Sequence, residues 1–277
     1  MSRNTLLLAL LGLALSNSAS AADTLRVMSF NVRTPVDTEP AKRWDDRRDS
    51  MVELIRQQAP AVIGTQELVK LQGDYLVQKL PHYHWFGEGR RGGDEDEHMG
   101  VLYDSSRLQL LESGRFWLSD TPEVAGSISW GHPYPRMATW GLFERLSDHQ
   151  RFYLLDTHLP YRSEDEPARV KGAELIVQRL QQLPANIPVV VTGDFNSEPD
   201  SPTHQAFTRY LQDARMQVSH PQGPRLTFHD FTGKPTQQLD WILVKGLKVK
   251  QFSTLDQKPL GVLPSDHFPV EVDLELP

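Results

Sequence analysis

Residues 188–196 read Pro188-Val189-Val190-Val191-Thr192-Gly193-Asp194-Phe195-Asn196: a β-branched run that stops at a glycine and delivers an acid and an amide just beyond it. A short apolar run between proline and glycine is the pattern of a strand buried on both faces. Such a strand needs cover on each side, which points to a layered α/β (α+β) domain. Upstream, Val170, Ala173, Ile176, Val177, Leu180 and Leu183 fall on one face of a helix. Further strands are expected over 25–31, 61–65, 99–103, 138–144, 151–158, 239–244 and 269–274. Helices are expected over 47–58, stopped by Pro60, and over 68–80, stopped by Pro81. Many short strands with few helices predict two packed sheets with helices outside, in one domain.

The chain has 277 residues, is 39% hydrophobic and carries a net charge of −7. That apolar content fills a large core and excludes a disordered chain. The negative charge argues against non-specific duplex binding through a basic face. The absence of cysteine excludes a disulfide framework, a zinc ribbon and a thiol nucleophile. Residues 1–21 have the pattern of a signal peptide: Arg3 near the start, an apolar run from Leu6 to Leu15, then Ala19-Ser20-Ala21. The expectation is an exported protein, periplasmic or secreted, with one catalytic domain over 22–277. No later run reaches the ~20 apolar residues of a membrane span, so no stable membrane insertion is expected. No obligate protein partner is evident, and a monomer is expected.

Polar residues cluster where the expected strands end. Asn31 ends the first, Gln66-Glu67 follows the second, and Asp156-Thr157-His158 and Asp194-Phe195-Asn196 end two more. Asp240 lies just inside Leu239-Asp240-Trp241-Ile242-Leu243, and Ser265-Asp266-His267 precedes the last strand. Carboxylates and amides without thiolates favour a hard cation, Mg²⁺ or Mn²⁺. His158 and His267 add groups that donate a proton or hydrogen bond near neutral pH. Metal, anionic base and imidazole together suit the hydrolysis of a phosphate ester. No Walker loop, H-E-x-x-H or G-x-S-x-G is present. Asp240 in an apolar strand needs a partner, and His267 is the expected one if their strands are neighbours in a sheet.

Met28-Ser29-Phe30-Asn31-Val32-Arg33, Gly64-Thr65-Gln66-Glu67, Thr157-His158-Leu159, Gly193-Asp194-Phe195-Asn196, Leu239-Asp240-Trp241 and Ser265-Asp266-His267 occur in that order. The set resembles the endonuclease/exonuclease/phosphatase superfamily over about 24–275. The resemblance implies a four-layer α/β sandwich of two mostly antiparallel sheets with outer helices. It implies a metal site of Asn31, Glu67 and Asp266. It implies His158 contacting or protonating the phosphoryl oxygen, Asp194 activating water and Asn196 contacting phosphate. It also pairs Asp240 with His267.

Apurinic endonucleases of this superfamily carry an acid shortly after the first asparagine and a tyrosine in place of His158. Here Val32-Arg33-Thr34 follows Asn31, so apurinic-site cleavage is disfavoured. Trp44, Arg47, Arg48 and the run Pro135–Trp140 resemble an exported bacterial branch related to the deadenylase group, with Arg136 as a substrate-phosphate clamp or a structural ion pair. The acidic run 94–97 sits in a Gly-flanked loop and is expected to be solvated, with Glu97 reaching the pocket as the alternative. Trp85, Phe86, Trp130, Tyr134 and Trp140 are candidates for core or for stacking. The expected substrate is a phosphate ester: nucleic acid for an exported endonuclease or 3′–5′ exonuclease, with a lipid headgroup (sphingomyelinase-like) or a sugar or inositol phosphate as alternatives. A catalytically silent binding module is the remaining reading.

Overall fold

The computed structural model describes residues 24–277; the expected signal peptide lies outside them. The chain runs β1 (Leu25–Asn31), α1 (Trp44–Gln58), β2 (Val62–Leu68), α2 (Lys70–Lys79), β3 (Tyr83–Phe86) and β4 (His98–Asp104). It continues through β5 (Leu108–Trp117), β6 (Met137–Arg145), β7 (Arg151–His158), α3 (Glu166–Leu180), β8 (Val189–Asp194) and α4 (Pro202–Thr208). It closes with β9 (Gln212–Asp213), β10 (Asp240–Lys245), β11 (Lys248–Thr254) and β12 (Val270–Glu275). Two six-stranded sheets result, ordered β11-β12-β1-β2-β4-β3 and β5-β6-β7-β8-β10-β9. Each is antiparallel except at its centre, where β1 runs parallel to β2 and β7 parallel to β8.

The layers follow from alternation. In β1, Leu25 and Val27 face the second sheet, where they meet Leu154, Val190 and Ile242. Met28 and Phe30 point the other way, onto Met51, Leu54 and Ile55 of α1 and Leu76 of α2. In β8, Val190 faces inward while Val189 and Val191 pack under Ala173, Ile176 and Leu180 of α3 and Phe207 of α4. The Pro188–Thr192 run is apolar throughout because both of its faces are covered. Each such aliphatic or aromatic side chain contributes about 1.5–3 kcal/mol on burial. The architecture is the expected α/β sandwich, helix–sheet–sheet–helix.

Two departures have physical causes. The helix expected from Leu68 begins at Lys70, because β2 continues through a bulge to Leu68, with register broken between Thr65 and Leu68. The strands without a sequence signal are β3, β5, β9 and β11, the four edges of the two sheets. An edge strand has one side unpaired and carries charge or breaks that blur alternation. Lys248-Val249-Lys250-Gln251 of β11, with its bulge, is an example.

Candidate active site

The inward-facing side chains turn from apolar to polar along each central strand. In β1 the series is Val27, Ser29, Asn31; in β7, Leu154, Asp156, His158; in β8, Val190, Thr192, Asp194. In β2 it is Val62, Gly64, Gln66, and in antiparallel β10 it reads backwards from Val244 through Ile242 to Asp240. The parallel pairing at each sheet centre places these polar ends on one rim, so sandwich and site come from the same period-two pattern. Just beneath the rim, Asp156 accepts from Gln66 Nε2 and Thr192 Oγ1, both at 2.7 Å, tying the two sheets together. Burial raises the Asp156 carboxyl well above the usual range. Only glycine fits at 64: a Cβ there would stand 2.0 Å from Thr192 Oγ1.

With Gln66 directed to the opposite sheet, plain alternation would turn Glu67 outward. The bulge prevents this: Glu67 takes a left-handed backbone (φ 60°) and lines the rim cavity. Its Oε1 accepts from Asn31 Nδ2 at 3.1 Å and its Oε2 from the Thr34 N–H at 3.1 Å. Asn31 Nδ2 also donates to Asp194 Oδ2 at 2.9 Å, so this amide bridges the two acids. Asp266 completes the group; Arg33 lies 3.7 Å from its Oδ2 and 3.8 Å from Glu67 Oε2. Burial and the facing Glu67 raise the Asp266 pKa, while His267 and Arg33 pull it down. Glu67 and Asp266, facing each other in the rim cavity, form a pair of carboxylates whose oxygens fit Mg²⁺ or Mn²⁺. Asn31 Oδ1 accepts from the Arg33 N–H at 3.0 Å, so Asn31 supports the site by linking Glu67 to Asp194 through its Nδ2.

A second group lies alongside. His267 Nδ1 is 2.8 Å from Asp240 Oδ2, and His267 Nε2 is 3.8 Å from Asp194 Oδ2. Ligand atoms of Asp194, Asp240 and His267 all fall within 4.8 Å of one another, close enough to hold a cation as well. The pairing of Asp240 with His267 occurs, but not within a sheet. β10 and β12 belong to opposite sheets, and the contact spans the sandwich. Burial pulls the His267 pKa down, and Asp240 and Asp194 outweigh it, leaving the imidazole well above its ordinary value. Asp194 is pushed up to about 7 by burial, moderated by His267 and Asn31.

His158 Nε2 lies 3.5 Å from Asp194 Oδ2 and 2.9 Å from Asn196 Nδ2. Asn196 Nδ2 also donates to the Leu159 carbonyl at 3.0 Å, which fixes the amide orientation and makes His158 Nε2 an acceptor. Burial and the cations Arg136, Arg90 and His267 hold His158 well below its ordinary pKa, so it is neutral. Arg136 is buried beside it, with Nη1 lacking any hydrogen-bond partner. It is not the structural ion pair weighed above.

The expected residues Glu67, Arg136, His158, Asp194, Asn196, Asp266 and His267 line one cavity of about 540 Å³, with Asn31 and Asp240 directly behind them. Glu97 also lines it, bonded to Arg90 Nη1 at 2.8 Å. The acidic run is therefore not merely solvated: its last member turns inward because Arg90 holds it. Of the aromatic candidates, Tyr134 reaches the cavity, whereas Phe86 and Trp140 pack against the cores. Arg47 has a role the sequence did not disclose. Buried beneath the rim, it donates to the carbonyls of Val32 (2.6 Å), Pro264 (2.9 Å) and Lys42 (2.9 Å), bracing the segments that carry Asn31 and Asp266.

Residues 28–267 match the family model described as the endonuclease/exonuclease/phosphatase family. The chain belongs to this family. Among solved structures of the family, the Bacteroides vulgatus endonuclease/exonuclease/phosphatase is 29% identical with a TM-score of 0.87, over 92% of this chain and 99% of that one. The mannosyl-6-phosphatase of Bacteroides thetaiotaomicron is also 29% identical, TM-score 0.85, over 91% and 100%. Protein angel of Drosophila melanogaster is 25% identical over 57% of this chain, which spans only 45% of that protein. Among the described residues no helix is long and apolar enough to cross a membrane.

Proposed function

We propose that this chain hydrolyses phosphate esters by attack of water, using Mg²⁺ or Mn²⁺ held by Glu67 and Asp266. The observation that carries the reading is the convergence, in one cavity, of opposed carboxylates, a buried Asp–His pair and an unpartnered buried arginine. The bound cation supplies Lewis-acid relief of charge on the phosphoryl oxygens. Asp194, oriented by Asn31 Nδ2 and the Asn196 N–H (3.0 Å), takes the proton of the attacking water. His267, kept cationic by Asp240, and Arg136 donate to the phosphoryl oxygens as negative charge builds. His158 holds the Asn196 amide, and thereby Asp194, in place.

Hydrolysis of p-nitrophenyl phosphate and of its bis ester, with Mg²⁺ or Mn²⁺ and with EDTA, tests the proposal. Activity in metal and none in chelator is expected. Glu67→Gln should abolish turnover by weakening cation binding in calorimetry; wild-type affinity and turnover would remove Glu67 from the metal site. One relative is by name a phosphatase of a mannosyl 6-phosphate, which supports including monoesters beside diesters. We further propose that the protein acts outside the cytoplasm after loss of residues 1–21, on the strength of the N-terminal pattern. N-terminal sequencing of the protein from cell fractions tests this, and an intact Met1 on the active enzyme would contradict it.

A further inference from the structure

Arg33 places a fixed positive charge among the acids of the rim. It follows the end of β1 at Asn31 and lines the cavity beside Glu67 and Asp266. Its backbone is left-handed (φ 54°), a conformation that residues with a Cβ seldom adopt unless the surroundings impose it. Three partners impose it here. The Arg33 N–H donates to Asn31 Oδ1 at 3.0 Å, and its carbonyl accepts from Gln72 Nε2 at 3.0 Å and from Arg47 Nη2. Gln72 and Arg47 are themselves fully buried. The packed fold therefore decides where the Arg33 side chain starts, and the brace formed by Arg47 extends to it.

The guanidinium is shared among three carboxylates. Asp37 takes it in a two-pronged pair, Nε to Oδ2 at 2.9 Å and Nη2 to Oδ1 at 3.1 Å. On its other side, Nη1 stands 3.8 Å from Glu67 Oε2 and Nε 3.7 Å from Asp266 Oδ2. The bonds to Asp37 raise the Arg33 pKa, Asp266 and Glu67 add to the rise, and burial opposes it, so the charge is permanent. Asp37, Glu67 and Asp266 bring three negative charges and Arg33 one positive. The surplus of two is what one divalent cation balances. Arg136 differs in kind: its Nη1 is buried without a partner and can meet a phosphoryl oxygen, whereas Arg33 is already committed to acids.

Building on the phosphoesterase reading, in which Glu67 and Asp266 hold the cation, we infer that Arg33 is the resident counter-charge of that pair. In the metal-free protein it offsets part of their mutual repulsion. With a divalent cation bound, it is a like charge beside the same carboxylates and holds the affinity down, which keeps the ion exchangeable. Mn²⁺ binding to the purified protein, followed by electron paramagnetic resonance and calorimetry, tests this without any turnover. Arg33→Met removes the charge and keeps a stem; it should bind Mn²⁺ about tenfold more tightly, a modest share of the repulsion between like charges at a partly exposed site. Arg33→Lys keeps the charge and should bind about as the parent does. Melting without metal should show Arg33→Met less stable than the parent, with the larger gain in Tm on adding Mn²⁺. Affinity unchanged or weakened in Arg33→Met, or tightened equally in Arg33→Lys, overturns this inference and leaves the phosphoesterase reading standing. A parent protein that binds no Mn²⁺ overturns the metal assignment in that reading, and this inference with it.

Discussion

His158 and His267 are buried in the same cavity, 3.5 and 3.8 Å from the same Asp194 oxygen, yet their pKa values are displaced in opposite directions. Burial depresses both. Around His158 it is reinforced by Arg136 and Arg90, and the ring is neutral. Around His267 it is overcome by Asp240 and Asp194, and the ring is cationic. Depth alone therefore assigns neither role; the charged neighbours do, Arg136 and Arg90 for His158 and, from the facing sheet, Asp240 and Asp194 for His267. One imidazole becomes a charged donor, the other an uncharged acceptor that steadies Asn196.

Breaking the charged side should have the largest effect. Asp240→Asn and His267→Ala should each lower kcat by on the order of 10³–10⁴-fold, and the double variant should be little worse than either. Multiplicative losses in that cycle would show that the residues act separately. Breaking the neutral side should cost less: His158→Ala should lower kcat by roughly 10²-fold through misplacement of Asn196 and Asp194, with KM little changed. A change confined to KM would make His158 a substrate contact. Arg136→Met sharpens the comparison. Without that cation the His158 pKa should rise, while KM for a phosphate ester rises by about tenfold.

The two histidines should also leave opposite marks on stability. A raised histidine pKa stabilises fully below the unfolded value near 6.5 and loses that contribution as pH climbs through the folded pKa. The depressed pKa of His158 gives stability above 6.5 that is lost as pH falls. Thermal melts across pH should show His267→Gln flattening the alkaline limb and His158→Gln the acid limb; a shared limb would contradict the assignment. The smallest effect lies outside the site. Glu271 of β12 has its carboxyl pushed up to about 7, burial outweighing the help of Arg26 3.4 Å away. Its contribution should weaken between about pH 4.5 and 7, so Glu271→Gln should raise Tm by a few degrees above pH 7 and little below 5. Equal shifts at both ends would show that Glu271 is not protonated in the fold.

How much of this was legible in the sequence divides along a physical line. The eight interior strands announced themselves because cover on both faces, or strict alternation, leaves an unmistakable apolar pattern, as in Pro188–Thr192. The four edge strands did not, because an edge is half solvated. Asn31, Glu67, Asp194 and Asp240 could be read from their place at strand ends. The inward turn of Glu67 could not, since it depends on a bulge. The brace formed by Arg47 was equally hidden: its partners are backbone carbonyls as far away as Pro264, which have no sequence identity. Nor could alternation say that Asp240 meets His267 across the sandwich, because strand neighbours and facing sheets look alike along the chain.

The opposite charging of the two histidines is the centre of the account, and imidazole ¹⁵N NMR of the metal-free protein near pH 7.5 tests it most directly. His267 should show both ring nitrogens protonated, and that signature should collapse in Asp240→Asn. His158 should show a neutral ring protonated at Nδ1, with Nε2 bare toward Asn196. A neutral His267, or a His158 that titrates near 6.5 as a free histidine does, would contradict the account.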